Sequence, residues 1–229
     1  MDMEHSASQG AAATIKEREQ SPLSRFRSEA LPLLSDTEDE RTHVGEVVES
    51  STTELIAQAR ELHGAPSFGQ FVRVEAEMPV VGIVFNVFTH SIEPNRRPTA
   101  YGKTEEELRL EQPQIFELLR TEFQALVIGY LDGDESVQIL PPQPARIHSF
   151  AYLCSDEQVR AFTRTDDYLR SILNTSKIPT DELVIAVLRH TVRAHAHAPS
   201  YLVQMGKELS RLLSDDYDRL SSIIRRVVN

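Results

Sequence analysis

The stretch from Arg96 to Thr104, RRPTAYGKT, is the closest this chain comes to a reactive motif, since it follows an apolar run and ends in Gly102-Lys103-Thr104. A phosphate-binding loop needs G-x-x-x-x-G-K-[ST], whose glycines let backbone N–H groups wrap the phosphates. Arg97 stands where the first glycine belongs, Pro98 removes a further donor, and Glu105, Glu106 and Glu107 put carboxylates where a triphosphate would approach the helix. The segment reads as a capped helix start, with no nucleotide or other cofactor expected.

Three of the eight histidines cluster, at His190, His195 and His197. On a helix His190 and His197 share a face two turns apart, while His195 and His197 point differently. No HExxH or carboxylate partner pattern accompanies them, so no metal is expected. An enzyme reading would be a metal-dependent hydrolase built on these histidines. Cys154 is followed by Asp156 and Glu157, whose charge raises a thiol pKa and argues against a nucleophile. His148 alternates with Ile147 and Phe150 as a strand residue would. Asp166 with Asp167, and Asp215 with Asp216, suit helix starts, where carboxylates complement the dipole. No catalytic residue is assigned.

The surrounding composition fits a soluble, folded chain. Of 229 residues, 35 are acidic and 24 basic, for a net charge of -11 that repels phosphate backbones and anionic membranes. Basic residues concentrate only at Arg96 with Arg97, from Arg189 to His197, and at Arg225 with Arg226, which read as solvated faces or protein contacts. A single cysteine excludes an internal disulfide, and no run reaches the length of a signal-peptide core or a spanning helix. The expectation is a cytoplasmic protein with a protein partner and neither nucleic acid nor membrane.

The pattern divides the chain into three parts. Residues 1–42, polar with a brief Leu31, Leu33, Leu34 patch, read as a mobile tail. Residues 43–163 carry short β-runs: VGEVVES, TTELIAQA, QFVRVEA, VVGIVFNVF, FQALVIGYLDG and VQILPPQPARIHSFAYL. No helix-length crossover separates the first four, so the strands are antiparallel, and a barrel removes their open edges. A helical insertion at about 104–122 opens on the capping box Thr104 and Glu107, with Leu108, Ile115, Phe116, Leu119 and Phe123 on its apolar side and Pro113 splitting it. Ser155 and Gln158 form a second box. Residues 164–229 repeat apolar positions at helical spacing, with Pro179, Pro199 and Ser214 as boundaries. The fold class is α+β: a six-stranded antiparallel β-barrel with a helical insertion, then a C-terminal helical region.

Gly45-Glu46-Val47-Val48, the step Ser51-Thr52-Thr53, the run Gly69 to Val74 and Val81-Gly82-Ile83-Val84 resemble the HAS barrel, the module shared by HerA-type translocases and rotary ATP synthase subunits. In that family the barrel precedes an ATPase core and helps arrange subunits or dock an accessory nuclease. Here helices follow instead of a motor. The resemblance thus implies a non-enzymatic interaction or assembly module, docking on a HerA-like ATPase or on itself. The contact residues it suggests are barrel-surface and turn positions Gly69, Phe71, Arg73, Gly82, Arg96 and Arg97, with Arg225 and Arg226 second. A regulatory barrel that senses a small ligand is the remaining alternative.

Overall fold

The computed structural model of the protein describes residues 42–93, 95, 97–133, 135–176 and 178–228. The tail expected over 1–42, apart from Thr42, and Arg96 lie outside them.

The described chain begins with a hairpin of β1 (Gly45–Ser50) and β2 (Glu54–Ala59). Ser51 makes its turn: the hydroxyl accepts from Glu54 N–H at 3.0 Å while Ser51 N–H donates to the Glu54 carbonyl at 2.8 Å. Then come β3 (Phe71–Val74), the long β4 (Val80–Ser91) and, after two short helices, the long β5 (Leu119–Asp132). β6 (Glu135–Val137) folds back on β5, and β7 (Phe150–Leu153) follows a proline-rich loop.

Every pairing is antiparallel, in the order β2-β1-β7-β3-β4-β5, and β2 pairs again with β5, which closes a six-stranded barrel. The last strand in sequence is inserted between the first and third, with Gly45 opposite Ala151 and Val72 opposite Leu153. β6 hangs on β5 outside the ring.

Strand alternation sorts the apolar residues into two cores. Val47, Leu55, Ala57, Val72, Val74, Val84, Phe123, Ala125 and Val127 point inward and fill the barrel. Phe71, Val81, Ile83, Leu126 and Ile128 point outward from β3, β4 and β5, and helices cover them. That explains VVGIV and ALVI: a wall buried on both sides has no polar face to alternate.

The covering helices are α3 (Asp156–Phe162), α4 (Asp167–Leu173), α5 (Thr180–Ala194), α6 (Ala198–Leu212) and α7 (Tyr217–Val228). Their buried stripes include Leu183, Val184, Val187 and Leu188, then Met205 and Leu209, then Leu220 and Ile223, as the periodicity requires. Tyr168 is fully buried and bonds the Tyr201 hydroxyl at 3.0 Å; burial, with Tyr201 second, holds its phenol well above the ordinary range.

Four local expectations change. The insertion contains α1 (Glu105–Glu111) and α2 (Gln114–Glu117), but Leu119 and Phe123 belong to β5, and Phe123 enters the barrel. The helical spacing from Leu108 ran across a boundary set by pairing with β4. Of VQILPPQPARIHSFAYL only the two ends are strand, since the prolines remove ladder donors. His148 is not a strand residue: it turns at φ 71, and its ring meets Glu46 at 2.5 Å. Finally, Asp216 rather than Ser214 caps α7, accepting from Arg219 N–H at 3.1 Å.

Candidate functional site

The sequence-selected residues separate into a buried seam and an exposed periphery. Gly69 sits at φ 85 in the turn before β3, and a Cβ there would lie 2.6 Å from the Ala186 Cβ on α5. Its N–H donates to the Val84 carbonyl at 2.7 Å. The turn is thus pinned between barrel and helix, and only glycine fits both the conformation and the gap. Phe71 is buried beneath the helices, with its ring edge-on to Phe162 and Tyr168. Gly82 faces the barrel interior, where a Cβ would lie 3.2 Å from the Ala125 Cβ. These three were expected among barrel-surface and turn positions; Gly69 does lie in a turn, but all three are buried, because both faces of this wall are covered.

Arg73 is half-buried, its guanidinium 4.8 Å from the Tyr152 ring centroid. The buried Nε has no hydrogen-bond partner among the described residues. Arg97 is exposed in the loop before α1. Arg225 is exposed on α7, and Arg226 reaches Glu182 on α5 at 2.5 Å while its carbonyl accepts from Arg189 at 2.6 Å. These residues therefore do not converge on one site.

The Gly102-Lys103-Thr104 start is a helix cap. Thr104 accepts from Glu107 N–H at 3.3 Å, Glu107 returns a bond to Thr104 N–H at 2.8 Å, and Lys103 ion-pairs with Glu111. The histidines diverge as well. His190 donates to the Phe68 carbonyl at 3.2 Å, and burial holds its pKa below the usual range. His195 stacks on Tyr201 at 3.9 Å and meets the Thr163 hydroxyl at 3.0 Å; because that hydroxyl donates to the Val159 carbonyl, the imidazole Nε2 carries the proton. Among the described residues no three His, Cys, Asp or Glu side chains are grouped as a metal would need.

The feature that sequence reasoning missed is the far half of the β4–β5 hairpin. β3 pairs with β4 only as far as Ile83, and a bulge between Val84 and Asn86 follows. Beyond it, from Asn86 to Ser91, β4 has β5 on one side and no strand on the other among the described residues. Val87 and Ile92 are exposed there, as are Tyr101 and Leu110 in the segment the hairpin carries. Helix α1 buries no residue at all. Toward the ribbon's far end the buried Glu122 carboxylate takes Arg120 at 2.9 Å and His90 at 3.3 Å. The signal was present: FNVFTHS has strong β propensity and no Asp, Glu, Lys or Arg.

A family model matches the stretch of this ring that holds β1 to β5. Residues 44–133 match the HAS barrel domain family. The match ends just after β5, so β7, which completes the ring between β1 and β3, comes from beyond it. No curated protein sequence matches the chain. Among the described residues no helix is long and apolar enough to cross a membrane.

Proposed function

We propose that the chain is a non-enzymatic interaction module whose HAS barrel docks a protein partner, a HerA-like ATPase or a second copy of itself. The observation that carries this reading is the open β4 edge from Asn86 to Ser91. Sheet edges are normally guarded by charge, proline or cover, because unpaired N–H and C=O groups recruit another strand. This edge carries no Asp, Glu, Lys or Arg in a chain of net charge -11, and apolar side chains flank it. A partner strand would gain main-chain hydrogen bonds along the edge and apolar contact with Val87 and Ile92.

The barrel interior supports contact from outside rather than ligand capture, since Phe123, Leu55 and the valines fill it. Light scattering after size exclusion measures self-association, and titration of a purified HerA-like ATPase measures docking. Val87→Lys places a charge on the edge and is expected to abolish whichever association the native chain shows, with its circular dichroism unchanged. A native chain that stays monomeric at high concentration and does not bind the ATPase would overturn the reading.

A further inference from the structure

We propose that the groove along α5 binds a small, multiply charged oxyanion, one carrying phosphate or carboxylate groups. This site stands apart from the β4 edge, and it holds whether or not the barrel docks a partner.

The groove has a volume of about 290 Å³ and is lined by Phe68, Glu182, Arg189, His190, Arg193 and Arg226, with Ile185 and Ala186 completing it. That space holds roughly ten waters, enough for a pyrophosphate or a citrate. Three guanidiniums face one carboxylate, and that carboxylate is already engaged, Glu182 with Arg226 at 2.5 Å. Arg189 spends one N–H on an uncharged acceptor, the Arg226 carbonyl, at 2.6 Å. Arg193 has no hydrogen bond or ion pair to a carboxylate among the described residues, and its charge acts on His190 instead. Two cations one helical turn apart repel each other, and among the described residues no carboxylate pairs with Arg189 or Arg193.

An oxyanion supplies what is missing. Arg189 and Arg193 present forked, planar donors at the spacing of one turn, which suits bidentate bonds to separate oxygens of one ligand. Phe68 and Ala186 wall the groove on its barrel side, where the Gly69 turn meets α5, and lower the local dielectric. The position of Phe68 is fixed, because its carbonyl accepts the His190 N–H at 3.2 Å. The ligand would therefore span the boundary between barrel and helices.

The test is titration of the full chain with sodium phosphate, pyrophosphate and citrate at constant ionic strength, followed by calorimetry and by amide shifts of α5. Saturable binding is expected for pyrophosphate or citrate, with amide shifts centred on residues 185–193; the stronger ligand identifies the phosphate or the carboxylate source. Arg193→Ala should weaken it by about tenfold, the loss of one charge-assisted bond pair. Arg193 is exposed, so the fold should survive, and a melting curve verifies this. Arg164→Ala, an exposed arginine elsewhere, should bind as the native chain does. No saturation into the tens of millimolar, or an unaltered affinity in Arg193→Ala, would overturn the site.

Discussion

The two halves of β4 are built from similar residues and meet opposite fates. From Val80 to Val84 the strand is buried on both faces, by the barrel interior on one side and the helices on the other. From Asn86 to Ser91 it is half-exposed and has a neighbour on one side only. The bulge between Val84 and Asn86 marks the change, as bulges commonly do where a strand leaves a ladder. The contrast teaches that apolar β sequence alone does not say which half is core. What decides is whether another element follows it: β3 and the helices attend the first half, while among the described residues the second has β5 on one side and meets the loop at His63 only through Thr89.

Breaking the buried half should have the largest effect. Phe71→Ala removes a ring packed on Phe162 and Tyr168, and the transfer and cavity costs together should lower stability by about 3–5 kcal/mol, read from urea denaturation. Gly69→Ala comes next. Strain at φ 85 costs about 1–2 kcal/mol, and the clash with Ala186 adds overpacking of similar size. An unchanged denaturation midpoint in either variant would show that the helices do not clamp this wall.

The two capping boxes give a matched pair across the same divide. Ser155 caps α3, which buries Val159 and Phe162, so Ser155→Ala should cost about 1 kcal/mol of global stability. Thr104 caps α1 with the same geometry but no buried residue behind it. Thr104→Ala should therefore fray the helix locally, visible as faster amide exchange, with the global midpoint unmoved. Equal global losses would mean that α1 packs on something.

A smaller effect is expected at His195. Burial, with the Arg160 charge second, holds its pKa below the usual 6.5 in the folded chain. The unfolded chain then binds the proton more readily, so this contribution is intact above pH 6.5 and is lost as pH falls from there through the folded value. The melting temperature should drop between pH 7 and pH 5 more steeply in the native chain than in His195→Phe, which keeps the ring against Tyr201.

Much of the architecture is legible in the residues because it rests on local rules. Ser51, Thr104, Ser155 and the Leu183 to Leu188 stripe announce turn, caps and helix face without knowledge of the rest. What failed depended on distant contacts. Phe123 has the spacing of the preceding helix, yet pairing with Val87 and Ala57 makes it strand. Gly69 reads as a turn glycine, but its burial follows from Ala186, which lies far along the chain. Surface and interior cannot be separated by type where both faces of a wall are apolar. The groove residues were visible only as a run, since Arg226 joins Arg189 and Arg193 by folding.

The smallest expected change in stability belongs to a residue expected to contribute to docking. Leu110 is 86% exposed on α1 and packs on no core, so Leu110→Ser should leave the denaturation midpoint within about 0.5 kcal/mol of the native value. If the free half of β4 and the helix it carries form one contact surface, the same substitution should weaken partner binding or self-association by about tenfold, as truncation of an apolar anchor does. Val87→Lys should abolish association that Leu110→Ser only weakens, because charge blocks the edge itself. The reverse order would move the contact from the strand edge to the helix, and the open half of β4 would then be a support rather than a surface.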